Sequence, residues 1–221
     1  MKLSARLQQV LNFLLEEKVL ADIGCDHALL PIAYISKNPN GKVYAMDNKQ
    51  EPLNQAIKNI NLNLMTNKII PLLSDGLEYL PDDVNQICIA GMGGNNIIEI
   101  LSSHLDKCLK VDRFVFQPNN GCEELRRYLT ENDFLIENEI LVEENDIIYE
   151  VLQVKRGHQI LSNKECVFGP ELLKIKGELF IKKWQSQLNY LKNVYDRIPN
   201  QYATKKAVLK KDIELIESVI N

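Results

Sequence analysis

The sequence predicts a doubly wound α/β domain with a mostly parallel sheet, followed by an antiparallel helical hairpin. Short apolar segments alternate with segments of helical spacing over most of the chain, as in sheets whose two faces are covered by helices. Polar and glycine residues gather where the apolar segments end, and the last part of the chain shows helical spacing only. At 221 residues the chain is long enough to bury a core and to carry an accessory segment.

The first domain is predicted over residues 1–157. Two segments near its end have no helix between them, so one of these strands should run antiparallel at the sheet edge. Apolar runs bounded by turn residues predict the strands, at 19–23, 42–46, 69–73, 86–90, 113–116, 135–142 and 148–154. Three- and four-residue apolar steps predict the helices, at 3–16 with Ser4 near its start, 28–37, 51–63, 95–105 and 123–131.

Residues 158–221 form a second predicted unit, a basic helical hairpin. Apolar residues recur at helical steps from Leu172 to Ile198, Pro199 interrupts the chain, and the same spacing then resumes. Two such helices joined by a short turn make a coiled-coil-like module. Residues 155–221 hold 13 Lys and Arg against 7 Asp and Glu, whereas the whole chain has a net charge of −4. This asymmetry is typical of a protein that meets a polyanion, and a solvated Lys-rich surface is the alternative.

The composition excludes several classes of protein. The longest apolar runs are far shorter than the roughly 20 residues of a membrane helix, and Arg6 and Gln8 stand where a signal peptide would be apolar. The five cysteines are scattered and the three histidines lack the spacing of metal ligands, so we expect no disulfide framework and no metal site. A cytoplasmic location fits this pattern. Cys25 lies beside acids that would raise its pKa, and we interpret it as a packing residue rather than a nucleophile.

The polar turns after the strands indicate a nucleotide-type ligand, because ligands of open α/β sheets bind at the carboxyl ends of the strands. Asp47 follows Gly24 by 23 residues, close to the roughly 20 that separate a nucleotide-loop glycine from the acid that holds ribose hydroxyls. Turn chemistry alone explains each turn separately but explains this spacing poorly. The other turns are Ser74-Asp75-Gly76, Ala90-Gly91-Met92-Gly93-Gly94 and Gln117-Pro118-Asn119.

The first turn favours S-adenosylmethionine over a dinucleotide as the ligand. A dinucleotide needs G-x-G-x-x-G, so that backbone amides and a helix N-terminus can approach the pyrophosphate. This turn offers only Gly24, and the carboxylates of Asp22 and Asp26 would repel a diphosphate. S-adenosylmethionine has no phosphate, and its sulfonium and ammonium groups are attracted by nearby carboxylates. The sequence therefore predicts a methyl donor, with a nicotinamide oxidoreductase as an alternative.

The ordered motifs resemble those of the bacterial TrmK family. Class I methyltransferases place an acidic-x-Gly-x-Gly-x-Gly pattern after the first strand, which Asp22 and Gly24 match, whereas Asp26 and Ala28 replace the later glycines. TrmK members show D-I-G-x-D-H-A-x-L-P instead, as this chain does from Asp22 to Pro31. Four further motifs agree, namely L-S-x-R-L at 3–7, I-A-G-M-G-G at 89–94, Q-P-N at 117–119 and F-G-P at 168–170, and the family motif G-D-G-L is matched by S-D-G-L at 74–77.

The resemblance implies a tRNA methyltransferase that modifies N1 of adenine 22, with S-adenosylmethionine as donor and tRNA as partner. It spans nearly the whole chain and departs at Cys25, Ser74 and the Asp47-Asn48 pair. The oligomeric state is left open, with a monomer preferred. Residues expected around the donor are Asp22, Gly24, Cys25, His27, Asp47, Asn48, Asp75, Gly76, Ala90, Gly91 and Met92. Those expected around the acceptor base are His27, Gly93, Gln117, Pro118 and Asn119.

The chemistry of adenine methylation singles out Asp26 as the predicted catalytic residue. Adenine N1 has a lone pair and needs no base before it attacks, but its methylation spreads positive charge over N1 and the exocyclic amine. A carboxylate that accepts a hydrogen bond from this amine stabilises the developing charge, and Asp26 replaces a glycine beside the donor. His27 either orients the substrate or is structural. Gln117 and Asn119 either read a base edge or close a rigid X-Pro turn.

The basic hairpin distinguishes this hypothesis from two others. A methyltransferase that acts on a protein or a small molecule would leave the hairpin without a role, and a non-enzymatic module would use it to recruit partners. For a tRNA enzyme, whose target base must leave its stack, the hairpin can contact phosphates elsewhere on the RNA. The cations available are Lys174, Lys176, Lys182, Lys183, Lys192, Arg197, Lys205, Lys206, Lys210 and Lys211.

Overall fold

The structure, a computed structural model, describes residues 3–220, with the backbone alone at residue 200. It divides into two compact units, one up to Glu171 and one from Leu172. The boundary falls later than the predicted residue 157 because helix α6 (Asn163–Phe168) belongs to the first unit. Cys166 and Phe168 of this helix are buried, and their burial attaches the segment to the α/β core.

The first unit is built on one seven-stranded sheet within the described residues, in the order β3-β2-β1-β4-β5-β7-β6. Strands β1 to β5 are parallel, as predicted, and β7 runs antiparallel between β5 and β6. The antiparallel strand therefore lies next to the edge rather than at it, because β6 pairs with its outer side. The strands are β1 (Val19–Ile23), β2 (Lys42–Asp47), β3 (Ile69–Leu73), β4 (Gln86–Met92), β5 (Arg113–Pro118), β6 (Phe134–Glu144) and β7 (Ile147–Arg156).

Helices cover both faces of this sheet, as its apolar strands require. Alternate residues of a strand enter different apolar clusters, with Leu20 in one and Ala21 in the other. The Ser4 side chain caps the first helix by accepting a hydrogen bond from the Leu7 amide at 3.3 Å. Helix α1 (Ala5–Phe13) precedes the first strand, and the helices between the strands are α2 (Leu29–Lys37), α3 (Gln50–Leu62), α4 (Gly94–Ser103) and α5 (Cys122–Glu131).

A buried ion cluster explains the F-G-P segment that precedes the second unit. Arg126 of α5 has no exposed surface; it donates to Glu139 at 2.7 Å, to Glu150, and to the Cys166 carbonyl at 3.2 Å. Gly169 lies directly over this cluster with φ of 90°, and a Cβ there would come within 2.7 Å of a Glu139 carboxylate oxygen. Glycine is therefore the residue that fits this position.

The second unit contains a helical hairpin. The helices are α7 (Pro170–Ile175), which crosses the boundary, α8 (Glu178–Arg197) and α9 (Ala203–Ile220). Helices α8 and α9 pack together, and an ion pair of 2.6 Å joins Lys192 to Glu217. The spacing from Leu172 onward predicts one continuous helix, but Lys176 adopts a left-handed conformation with φ of 46° and separates α7 from α8. No helix within residues 3–220 is long and apolar enough to cross a membrane.

Candidate active site

The turn after β1 keeps the backbone path of a three-glycine loop with a single glycine. Gly24, Asp26 and Ala28 have φ of 75°, 45° and 55°, so all three positions of the class I glycine pattern are left-handed. Aspartate enters this region more readily than most residues, and buried Ala28 is held there as the residue that begins α2. The turn therefore gains a carboxylate at its second position without losing its shape.

Gly24 is required for its size as well as for its conformation. Its amide donates to the Met46 carbonyl at 2.8 Å, and the Cys25 amide donates to the same oxygen at 3.0 Å. A Cβ on Gly24 would overlap the terminal methyl of Met92, which ends β4. The carboxyl ends of β1 and β4 thus approach each other closely over the backbone of this glycine.

Asp47 connects the turns that follow the first three strands. One carboxylate oxygen accepts the Lys49 amide at 2.9 Å and the other accepts the Asp26 amide at 3.3 Å. The main-chain carbonyl of Asp47 accepts the Ser74 amide at 2.9 Å. The acid predicted to hold ribose hydroxyls is therefore fixed in orientation at the edge of the sheet where the other turns meet.

Asp22 is a buried carboxyl beneath this turn, with 5% of its surface exposed. Burial raises its pKa to about 7, the charge of Asp47 acts in the same direction, and a hydrogen bond with Cys88 opposes the rise. A cation placed above the turn would favour the ionised form of Asp22.

Two adjoining cavities, of about 610 and 430 Å³, open at the carboxyl ends of the strands. Gly24, Asp47, Asn48, Lys49 and Met92 line both of them. Asp75 and Gly76 line the larger cavity, as does one side of α4. The smaller cavity is lined by the remaining residues that the sequence predicts at the donor, together with Asp26, and they are Asp22, Cys25, His27, Ala90 and Gly91.

Asp26 and His27 stand at the open side of the smaller cavity. Their side chains are 67% and 51% exposed, and the Asp26 carboxylate lies 3.6 Å from Nε2 of His27. The His27 carbonyl accepts a hydrogen bond of 2.9 Å from the side chain of Asn59 on α3. The backbone is therefore held in place, while both polar side chains remain open to an incoming group.

The Q-P-N turn lies beside the cavities rather than in their walls. Gln117 has no exposed surface; its carbonyl oxygen accepts from the Gly91 amide at 3.0 Å and from Arg6, and its amide donates to the Pro118 carbonyl at 3.0 Å. This arrangement corresponds to the rigid X-Pro turn, not to a base contact by Gln117. Asn119 is exposed, and its side-chain amide donates to the Gly91 carbonyl at 2.7 Å. Gly93 does not line either cavity.

Arg6 is a site residue that sequence reasoning missed. It extends from α1 into the smaller cavity, where its main-chain amide donates to Glu144 at 2.9 Å and its guanidinium lies 5.3 Å from the centre of the Tyr149 ring. The L-S-x-R-L motif contains this arginine but has no local feature that points to the cavity. Asn96, Glu99 and Ser103 of α4 line the larger cavity and were not predicted there either. Their three- and four-residue spacing places them on one side of the helix, which is a sequence pattern that could have indicated them.

Burial accounts for four of the five cysteines, and no disulfide joins any of the five within residues 3–220. Cys122 is partly buried, whereas the other four are buried. Burial raises the pKa of Cys25, and nearby acids raise it further, with Asp22 as the largest contributor among them. This agrees with the interpretation of Cys25 as a packing residue. Across residues 3–220, no group of three or more His, Cys, Asp or Glu residues is arranged to hold a metal ion.

The sheet order and the carboxylate-rimmed cavities at its carboxyl edge define a Rossmann-like class I methyltransferase that uses S-adenosylmethionine. The carboxylates around Gly24, such as those of Asp22 and Asp26, attract a sulfonium donor and would repel a diphosphate. The chain belongs to the TrmK family, since the family model described as tRNA (adenine(22)-N(1))-methyltransferase matches residues 20–218.

Relatives of known name and structure agree with this assignment. The Bacillus subtilis tRNA (adenine(22)-N(1))-methyltransferase is 30% identical, over 100% of this chain and 98% of its own. A Streptococcus pneumoniae protein in complex with S-adenosyl-L-methionine is 33% identical, with a TM-score of 0.91 and full coverage of both chains. The structure of M. capricolum TrmK with S-adenosyl-homocysteine is 28% identical, with a TM-score of 0.89 over 100% of this chain and 98% of that one.

Proposed function

We propose that this protein transfers the methyl group of S-adenosylmethionine to N1 of adenine 22 in tRNA. The observation that carries the proposal is the carboxylate-rimmed cavity around Gly24 in a chain that matches the TrmK family from residue 20 to residue 218. S-adenosylmethionine, when bound, supplies an electrophilic methyl group on a sulfonium. The five cysteines, none of which forms a disulfide in the described part of the chain, fit activity in the reducing cytoplasm.

The donor would be held along the two adjoining cavities. Asp47, which is fixed by the Lys49 and Asp26 amides, is oriented to accept hydrogen bonds from ribose hydroxyls. The larger cavity beside Asp75 and Gly76 has room for the adenine ring. The carboxylates of Asp22 and its neighbours would attract the sulfonium and ammonium groups of the donor. The Arg6 guanidinium would attract the donor's carboxylate.

The acceptor adenine would meet the donor at the open side of the smaller cavity. Asp26 accepts a hydrogen bond from the exocyclic amine and stabilises the positive charge that grows on the base as N1 is methylated. The Asp47 carboxylate holds the Asp26 backbone, and the exposed Asp26 carboxylate is accessible to an incoming base, which suits this role. His27 orients the base from the neighbouring position. Asn119, which is exposed beside the cavities, contacts the acceptor nucleotide.

The decisive experiment incubates the protein with unmodified tRNA and a labelled methyl donor, followed by mass spectrometry of the nucleosides and mapping of the modified position. We expect 1-methyladenosine at position 22. The absence of 1-methyladenosine from every tRNA would refute the proposal. A methylated protein or small molecule in the same mixture would favour the alternative substrates instead.

The role of Asp26 is tested by Asp26→Asn and Asp26→Gly. Asparagine keeps the size of the side chain but loses the charge, and glycine restores the residue of the general class I pattern with the same left-handed backbone. We expect kcat to fall by about 100- to 1,000-fold in both variants, as for other groups that stabilise a transition state. Donor affinity, measured by calorimetry, should change by less than about tenfold. Near-normal turnover would remove Asp26 from the mechanism.

A further inference from the structure

Positive charge on the hairpin is concentrated at its turn. We define the turn half as residues 190–211, which contain six Lys and Arg and one Asp. The rest of the unit, residues 172–189 and 212–220, contains four Lys and four acidic residues. A general solvated surface would not separate the charges in this way, and a stretch with a net charge of +5 attracts a polyanion.

The turn half also presents tyrosine rings to solvent. Tyr190 is 62% exposed and Tyr202 is 48% exposed. Lys205 Nζ lies 5.6 Å from the centre of the exposed Tyr202 ring, and Lys206 Nζ lies 4.8 Å from the centre of the partly buried Tyr195 ring. Cations interleaved with exposed aromatic rings are typical of surfaces that bind single-stranded nucleic acid.

Tyr202 is the best placed of these rings. It ends a short 3-10 turn at Asn200–Tyr202 between the two long helices, and its amide donates to the Pro199 carbonyl at 3.0 Å. The backbone that carries the ring is therefore held by its own hydrogen bond, while about half of the side chain is open to solvent. A half-exposed ring on an ordered backbone loses less conformational entropy when a base stacks on it than a ring on a mobile loop would.

We propose that the turn half binds an unpaired nucleotide of the tRNA, whose base stacks on Tyr202 while Lys205 and Arg197 contact the flanking phosphates. This inference rests on the proposed function, because it takes tRNA as the substrate. Phosphate contacts alone would suit a duplex equally well. An exposed tyrosine ring, however, can stack on an RNA base only where that base is unpaired and not already stacked. The substrate feature recognised here is therefore a loop or a bulge of the folded RNA, separate from the target adenine.

The test measures the affinity of the full-length protein for unmodified tRNA over a salt series. We expect Tyr202→Leu to weaken binding by roughly 5- to 100-fold at every salt concentration, because stacking does not depend on counterions. The matched control Tyr202→Phe keeps the ring and should bind as the wild type does. Lys205→Gln should instead lower the slope of log K against log salt by about 0.7–0.9, the value expected for one lost phosphate contact. Circular dichroism checks that each variant folds.

The outcomes separate this inference from the proposed function. If the wild type forms 1-methyladenosine but Tyr202→Leu binds tRNA within twofold of it, the stacking site is wrong and the proposed function stands. An altered salt slope in Tyr202→Leu would likewise overturn stacking. If Tyr202→Leu changes the sedimentation of the protein but not its RNA affinity, the surface docks protein, which also refutes the inference. If Tyr202→Leu loses RNA affinity as expected but the wild type forms no 1-methyladenosine, the proposed function fails alone.

Discussion

Replacing Asp22 by asparagine removes a buried carboxyl whose ionisation opposes folding. The side chain is 5% exposed, and burial raises its pKa from an ordinary 3.8 to about 7. The folded protein therefore holds this proton more tightly than the unfolded chain does. The resulting stabilisation is fully present below pH 3.8, falls as the pH rises, and is lost above the folded pKa of about 7.

The magnitude follows from the two pKa values. One pKa unit corresponds to about 1.4 kcal/mol, so the free energy of unfolding should lose about 4 kcal/mol over the full range. Between pH 5.5 and pH 8 the expected loss is about 2 kcal/mol. For a chain of this length, 1 kcal/mol shifts Tm by roughly 2–4 °C. The wild type should therefore lose roughly 4–8 °C relative to Asp22→Asn across this pH interval.

The assay is thermal unfolding of the donor-free protein from pH 5.5 to pH 8 at constant ionic strength. Asp106→Asn removes an exposed acid and serves as the control, whose Tm should follow that of the wild type at every pH. The Tm difference between Asp22→Asn and the wild type should widen as the pH rises towards about 7 and then level off. If the three curves stay parallel, the buried carboxyl does not titrate in this range and the reasoning is refuted.

Two further substitutions test the geometry of the turn and the core. Gly24→Ala should lower the donor affinity measured by calorimetry at least about tenfold. The added methyl group would displace Met92, and the left-handed backbone strains alanine by roughly 1–2 kcal/mol. An unchanged affinity would contradict the close approach of the strands. Arg126→Met should lower the free energy of unfolding in urea by about 3–5 kcal/mol at pH 7, because Glu139 and Glu150 would remain buried without their cation. A loss below about 1 kcal/mol would show that the carboxyls escape to water.

Local pattern was sufficient for most of the first unit. The parallel strands appear close to their predicted positions because each is a buried apolar run that ends at polar turn residues. Helix α1 begins directly after Ser4 for an equally local reason, because the Ser4 side chain caps the Leu7 amide. The sheet edge was predicted less well, since nothing within β6 or β7 states which of them pairs with β5.

The position of the predicted donor residues at one edge of the sheet was predictable to a similar degree. Every residue expected around the donor lines one of the two cavities. The carboxyl ends of parallel strands lie at the same edge of the sheet, and this does not depend on which side chains they carry. Residues from outside these turns were harder to predict. Arg6 was missed because it reaches the site from α1. For Gln117 the sequence left a base contact and a rigid turn open, and its side chain is fully buried in the structure.

The sequence by itself determined the alternation of strands and helices, the acidic turn that selects the donor, and the ordered motifs of the family. These features depend on neighbouring residues and on one repeated geometry. Only the tertiary structure decided that Asp26 and Ala28 take the left-handed backbone of absent glycines, that Arg6 meets Gln117 across 111 residues, and that Arg126 orders the F-G-P segment. The Asp26 backbone, the Arg6–Gln117 contact and the Arg126 cluster depend on hydrogen bonds between distant parts of the chain, and such bonds leave no local pattern to read.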